Sequence, residues 1–130
     1  MNRSALKRAL ALLGPLEGRI MRLVWSGAIG EPFIVWDVND RLPELAYTTV
    51  MTTVQRLADK GLLQVDHSRP QRALVYRSAG TPDDFLRRAS RDQAARLVQA
   101  FGPVALAAFQ AELERLSPDQ RQQLQDLADS

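Results

Sequence analysis

The sequence predicts a mostly α-helical chain with one small β-hairpin, and three patterns support this fold class. Apolar residues recur at helical spacing through most of the 130 residues. Between residues 62 and 77 the pattern changes to alternation around a polar turn, as in two paired strands. Gly-Pro pairs at 14–15 and 102–103 separate successive helices.

Each predicted element is bounded by a capping or helix-breaking residue. Ser4, Thr81 and Ser117 are suitable N-caps, and Gly61 suits the left-handed residue that closes a helix. In chain order we predict helices at 4–13 and 15–25, a short strand at 33–35, helices at 36–42 and 46–60, strands at 62–66 and 73–77, helices at 81–100 and 104–116, and a last helix from Ser117.

The helix at 46–60 has an unusual polar face. Val50, Val54 and Leu57 lie on its apolar side, and Asp59 is the only acid on the other side. That other side carries Thr48, Thr49, Thr52, Gln55, Arg56 and Lys60. Short hydroxyls allow close approach to a DNA groove, where Thr and Gln hydrogen-bond base edges and Arg reaches guanine or phosphate. The alternative is a core helix with a solvated face, and this helix alone favours neither.

The order of the elements favours the DNA-binding interpretation. Two helices joined by the turn at 42–45 form a helix-turn-helix, and a hairpin follows directly. The whole is a winged helix-turn-helix head, with a basic wing at 66–73 whose Arg69 and Arg72 can reach phosphates or a minor groove. The alternative for these arginines is an ordinary solvated loop.

The remaining residues predict a helical dimerisation tail. Their apolar stripes are too narrow to bury much by themselves, so we expect them to close against a second copy of the chain. The residues expected at this homodimer contact are Phe101, Leu106, Phe109, Leu113 and Leu116. We therefore divide the chain into a DNA-binding domain at 1–80 and a dimerisation domain at 81–130. The first has 11 basic and 7 acidic residues, whereas the second has 6 and 8.

Several functional classes find no support in the sequence. Without cysteine there is no disulfide and no thiolate metal site, and we expect no metal or cofactor. The only histidine, His67, lies in the predicted wing, and Asp37 and Asp40 lack a third metal ligand nearby. No phosphate-binding loop or nucleophile–base pair is evident, so we do not expect an enzyme.

Membrane insertion is also not expected. No apolar run has the length of a membrane span, and the apolar run at 9–13 is too short for the core of a signal peptide. The sequence therefore predicts a cytoplasmic protein.

Four stretches carry a family resemblance. They are LGPLEGRIMRLVW at 13–25, VWDVNDRL at 35–42, AYTTVMTTVQRLADKGLL at 46–63 and ALVYR at 73–77. Together they resemble the penicillinase-repressor family, also called BlaI/MecI/CopY, strongly over residues 13 to 80 and in layout over 81–130. One departure is Ile34, which stands where a Ser or Thr often caps the second helix.

The resemblance implies a bacterial transcriptional repressor with a winged-helix head and a helical dimerisation tail. Dimers of this family bind inverted-repeat operators in double-stranded DNA. The positions that match its recognition helix are Thr48, Thr49, Thr52 and Arg56, and those that match its wing are Arg69 and Arg72.

The family has two routes of induction. The copper-responsive branch uses a cysteine-rich motif that this chain lacks. In the β-lactam branch a membrane sensor protease cuts the tail, and the comparable place here is Ala100-Phe101. This chain has Ala100 where the best-characterised relatives have asparagine.

A second functional hypothesis belongs to another class. Winged helices also serve as protein–protein interaction modules without sequence-specific DNA binding, because a fold does not determine a function. Steep salt dependence of binding to its own promoter fragment would distinguish a DNA partner from a protein partner.

Overall fold

The computed structural model describes residues 2–68 and 73–129, and this part of the chain forms seven α-helices and one antiparallel pair of strands. The predicted fold class, mostly α-helical with a small hairpin, is confirmed. The elements are α1 (Arg3–Ala11), α2 (Pro15–Trp25), α3 (Val35–Arg41), α4 (Tyr47–Asp59), β1 (Leu63–Asp66), β2 (Val75–Ser78), α5 (Pro82–Phe101), α6 (Pro103–Glu114) and α7 (Pro118–Ala128).

The chain divides into two compact units, the first ending at Arg88 and the second beginning at Ala89. Both residues lie within α5, so the first unit includes the first turns of that helix. The division into a DNA-binding and a dimerisation domain at residue 80 remains a prediction.

The core of the first unit is built around α4, which contacts α2, α3 and β1. Val50, Val54 and Leu57 of α4 are fully buried, as the helical periodicity predicts. The other fully buried large side chains are Ile20, Met21, Phe33 and Val38. Since one face of α4 supplies so much of the core, its opposite face is held in a fixed orientation.

The turn between α3 and α4 is held by a buried asparagine. The Asn39 side-chain amide donates hydrogen bonds to the carbonyls of Leu42, at 3.3 Å, and Leu45, at 3.0 Å. The Leu42 carbonyl also accepts the Leu45 amide at 3.0 Å, so Asn39 links both ends of the turn. This turn and its two helices form the predicted helix-turn-helix.

Gly61 ends α4 as the sequence predicts. Its φ is +81°, in the left-handed region that favours glycine. The Leu62 amide donates to the Leu57 carbonyl at 2.9 Å, and the Gly61 amide donates to the Ala58 carbonyl at 3.0 Å. This pair of bonds is a Schellman motif, and it directs the chain into β1.

The hairpin follows in antiparallel register, with Leu63 opposite Ser78 and Val65 opposite Tyr76. The strand predicted at 33–35 is wrong in extent. Only Phe33 pairs, in an isolated bridge with Tyr76. At Ile34 the chain already turns into α3, because the Asp37 carboxylate accepts the Ile34 amide at 2.9 Å and caps the helix.

The cap predicted for the first helix also needs correction. Asn2, rather than Ser4, caps α1: its side-chain oxygen accepts the amides of Ser4, at 2.9 Å, and Ala5, at 3.2 Å. The caps of two later helices are as predicted. Thr81 Oγ1 accepts the Asp84 amide at 3.1 Å, and Ser117 Oγ accepts the Gln120 amide at 3.2 Å.

The second unit exposes most of its large apolar side chains. Phe101, Val104 and Leu106 are each more than half exposed. Leu97, Phe109, Leu113, Leu124 and Leu127 are also exposed. Within residues 2–68 and 73–129, no helix is both long and apolar enough to cross a membrane.

Candidate nucleic-acid interface

The polar face of α4 is exposed along its length. We define this polar face as Thr48, Thr49, Thr52, Gln55 and Arg56, and all five side chains are exposed. Arg56 makes no hydrogen bond or ion pair with any described residue, so its guanidinium is available to an external acceptor. The five residues predicted from the periodicity of this helix thus lie together on one open surface.

The start of α4 has no side-chain cap. The N-cap residue is Ala46, whose carbonyl accepts the amides of Thr49 and Val50 at 3.1 and 3.2 Å. Within the part of the chain that the structure describes, the amides of Tyr47 and Thr48 have no acceptor. Uncapped amides and the helix dipole together make such an end suitable for an anion.

Two threonine hydroxyls of α4 are engaged with the helix itself. Thr52 Oγ1 donates to the Thr48 carbonyl at 2.9 Å, and Thr53 Oγ1 donates to the Thr49 carbonyl at 2.9 Å. Thr53 is buried, and this bond satisfies its hydroxyl in the core. Thr52 is exposed, and because its hydroxyl donates to Thr48, the hydroxyl oxygen remains an acceptor.

A groove of about 500 Å³ runs between the polar face and the beginning of α2. Thr48, Thr49, Thr52 and Arg56 line one side. The residues on the other side are Gly14, Pro15, Leu16 and Glu17. This second side cannot be predicted from the sequence, since it depends on how α2 and α4 pack.

Glu17 is a buried carboxylate at the edge of this groove. Lys60 Nζ lies 2.8 Å from its Oε2 and donates a hydrogen bond to its Oε1 at 3.1 Å, and the Gly14 amide donates to Oε1 at 3.1 Å. Burial alone would raise the pKa of Glu17, but Lys60, the Gly14 amide and the charge of Arg56 together lower it below its ordinary value. Glu17 is therefore ionised at neutral pH, and Lys60 offsets its charge.

An aromatic pair lies beside the polar face. Trp36 of α3 is 54% exposed, and its ring centroid is 4.4 Å from that of Tyr47. From the sequence, Trp36 is only the first residue of a predicted helix. A periodic pattern does not reveal which end of a short helix is exposed to solvent.

The other predicted site residues belong to the wing and to the end of α5. Arg69 and Arg72 lie outside the described residues, and the described wing residues His67 and Ser68 are exposed. Ala100 and Phe101 occupy the last turn of α5 and are exposed. Among residues 2–68 and 73–129 there is no group of three or more His, Cys, Asp or Glu arranged to hold a metal ion.

The predicted dimer residues lie on α5, α6 and the segment that follows α6. Leu106, Phe109 and Leu113 are exposed on α6, Phe101 is exposed at the end of α5, and Leu116 is partly buried. The dimer itself remains a prediction.

A family model describes most of this sequence: the penicillinase repressor model matches residues 13–130. The chain belongs to the penicillinase repressor family. The resemblance drawn from the four sequence stretches is thereby confirmed, and the match includes the helical tail.

Two curated relatives match part of this chain. Both are named transcriptional regulator BlaI, from Mycobacterium tuberculosis strains CDC 1551 / Oshkosh and ATCC 25618 / H37Rv. Each is 46% identical over 67 residues, which cover 48% of this chain and 47% of the relative. The chain thus spans about half the length of the curated relatives it matches.

Two solved structures are also similar to this chain. One is a MarR/EmrR family transcriptional regulator from Acinetobacter sp. ADP1, 20% identical with a TM-score of 0.45, matched over 96% of this chain and 89% of that one. The other is the transcriptional regulator SlyA, 13% identical with a TM-score of 0.39, matched over 95% and 91%. The helix-turn-helix and hairpin described above define the winged-helix fold of the family member independently of these likenesses.

Proposed function

We propose that this member of the penicillinase repressor family is a homodimeric bacterial transcriptional repressor that binds an inverted-repeat operator in double-stranded DNA. In this proposal α4, within the recognition segment 46–60, enters the major groove, and the wing at 66–73 contacts the DNA backbone. The observation that carries the proposal is the exposed polar face of α4.

The chemistry of the polar face supports base contact. Threonine, glutamine and arginine side chains are the groups that read donors, acceptors and methyl groups in the major groove. None of the five residues of this face is a carboxylate, and the one acid on that side of α4, Asp59, lies at the last position of the helix, beyond Arg56. Arg56 makes no ion pair with a described residue, so its guanidinium can contact guanine or phosphate.

The surroundings of the polar face support contact with the DNA backbone. The uncapped amides of Tyr47 and Thr48 can donate to a phosphate. The groove beside α2 has a volume of about 500 Å³, and its one carboxylate, Glu17, is buried and paired with Lys60 at 2.8 Å. These contacts would position α4 without selecting a sequence.

The apolar residues of the second unit support the dimer. A two-fold pair would place two recognition helices about 34 Å apart, which matches half-sites one helical turn apart. The same tail suits inactivation by a membrane sensor protease. A cut at Ala100-Phe101 would separate α6 and α7, with most of these apolar residues, from the head.

Gel-shift titrations on the promoter fragment of its own gene test the proposal. Arg56→Ala and Thr52→Ala should each weaken specific binding by about 1–3 kcal/mol, because each removes a base-reading group. Arg69→Ala and Arg72→Ala should weaken binding to all sequences alike and reduce the salt slope. Arg115→Ala, an exposed arginine of the second unit paired with Glu112 at 3.2 Å, is the matched control and should bind as wild type.

Two outcomes would contradict the proposal. If Arg56→Ala binds as tightly as wild type, α4 is not the recognition helix. If the protein shows no binding to the fragment at low salt, the protein–protein interaction module becomes the better hypothesis, since phosphate contacts always strengthen as salt falls.

A further inference from the structure

The first unit contains a second cavity, of about 510 Å³, that the DNA-binding proposal does not use. Its wall combines the start of α1, the end of α2, the loop at 27–31, the end of β2 and the first turn of α5. Ala5, Val24, Trp25 and Pro82 make this wall mainly apolar. Small-molecule sites in proteins are typically about 300–1,000 Å³ with apolar walls and few polar groups, so this cavity has a suitable size and lining.

The charged groups that line the cavity are both acidic. They are Glu31 and Asp83, and no Lys, Arg or His of the described residues lines it. Asp83 is partly neutralised by Arg87, whose Nε lies 2.9 Å from its carboxylate. Glu31 accepts the Ser78 amide at 2.6 Å through one oxygen and makes no ion pair with a described residue. The Glu31 carboxylate is therefore the main charge that a bound molecule would meet.

Trp25 forms part of the apolar wall of the cavity. Its indole nitrogen donates to the Gly80 carbonyl at 2.9 Å, which holds the ring in place. Apolar walls and a carboxylate without an ion pair together favour a molecule with an apolar body and a positive charge.

We propose that this cavity binds a small amphipathic organic cation, with the apolar body against Val24, Trp25 and Pro82 and the charge beside Glu31. The site is separate from the polar face of α4, so the proposal stands whether or not the chain binds DNA. It gives this family member a small-molecule site in addition to its proposed operator site.

An isosteric pair of ions tests the charge preference directly. Tetraphenylphosphonium and tetraphenylborate have nearly the same shape and opposite charge. Calorimetric titration of the full chain, without DNA, should give a dissociation constant for tetraphenylphosphonium about tenfold or more below that for tetraphenylborate, a difference of about 1.4 kcal/mol. Equal affinity for the two ions, or tighter binding of the anion, would overturn the proposal.

Substitutions then locate the site. Glu31→Gln keeps an acceptor for the Ser78 amide but removes the charge, and it should weaken tetraphenylphosphonium binding about tenfold. Asp59→Asn removes one charge from the exposed end of α4, outside the cavity, and should leave the affinity unchanged. Ala5→Leu should fill part of the cavity and weaken both ions. If Ala5→Leu does not fold, the comparison of Glu31→Gln with Asp59→Asn still shows whether the cation binds beside Glu31.

Fluorescence gives a readout at the cavity itself. The chain has two tryptophans. In the Trp36→Phe variant, Trp25 is therefore the only residue that fluoresces on excitation above 295 nm. Tetraphenylphosphonium should change the Trp25 emission with the same midpoint as the calorimetric titration. Binding without a change in Trp25 emission, or an unchanged affinity in Glu31→Gln, would place the cation elsewhere and refute the assignment.

Discussion

At the scale of single residues, the ion pair between buried Glu17 and half-exposed Lys60 makes stability depend on pH. The pKa of Glu17 is lowered in the folded protein, so its stabilising contribution is fully present above its ordinary pKa of 4.5 and is lost as the pH falls through the folded-state value. Glu17→Gln should lower the free energy of unfolding at pH 7 by about 1–3 kcal/mol, because a buried partner of Lys60 and of the Gly14 amide loses its charge.

Urea denaturation at pH 7 and at pH 3 measures this effect. The difference between wild type and Glu17→Gln should shrink at pH 3, which lies below the ordinary pKa of 4.5, because the unfolded chain then binds a proton that the folded carboxylate resists. Asp40→Asn, which changes an exposed acid of α3, serves as the control and should change stability little at either pH. A Glu17→Gln variant as stable as wild type at pH 7 would show that the pair contributes nothing.

Contacts between single residues were the features least predictable from the sequence. The exposed polar face followed from periodicity alone, since Thr48 to Arg56 belong to one helix. The groove partner Glu17 and its cation Lys60 are 43 residues apart in sequence, and only the packing of α2 against α4 brings them together. The exposure of Trp36 likewise depends on what α3 packs against.

At the scale of secondary-structure elements, the end of α4 depends on Gly61. Gly61→Ala would force a side chain into the left-handed region, and its Cβ would lie 3.3 Å from the Arg88 guanidinium. We expect the free energy of unfolding to fall by about 1–2 kcal/mol. Gly30→Ala is the matched control, because its added Cβ meets nothing within 4 Å and the backbone needs no positive φ. Thermal or urea unfolding checks both, and equal stability of the two variants would refute the role given to Gly61.

The elements themselves were largely predictable because their signals are local. Periodicity, Gly61 and the Pro residues located the helices to within about two residues at most ends. The strand predicted at 33–35 failed because a three-residue apolar run has no period, and the Asp37 cap on Ile34 decided in favour of helix there. The Ser4 cap failed because Asn2, two residues earlier, is an equally good capping residue.

At the scale of the whole molecule, the exposed apolar residues of the second unit lead us to expect a dimer. Phe109→Glu or Leu113→Glu would place a charge in the proposed contact, so each variant should be monomeric and bind a full operator poorly. Gln110→Glu adds the same charge on an exposed polar position of α6 and should remain dimeric. Sedimentation velocity at micromolar concentration distinguishes these cases, and a monomeric wild type would exclude the proposed assembly.

In the proposed complex with DNA, the bond from the Thr52 hydroxyl to the Thr48 carbonyl, at 2.9 Å, would affect which bases α4 selects. With its proton already committed, this hydroxyl acts as an acceptor. Exocyclic amino groups of adenine or cytosine can therefore pair with Thr52 at no cost to the helix, whereas a keto oxygen of guanine or thymine would require the hydroxyl to rotate away from Thr48. In the proposed complex, we therefore expect Thr52 to contact a base that carries an exocyclic amino group.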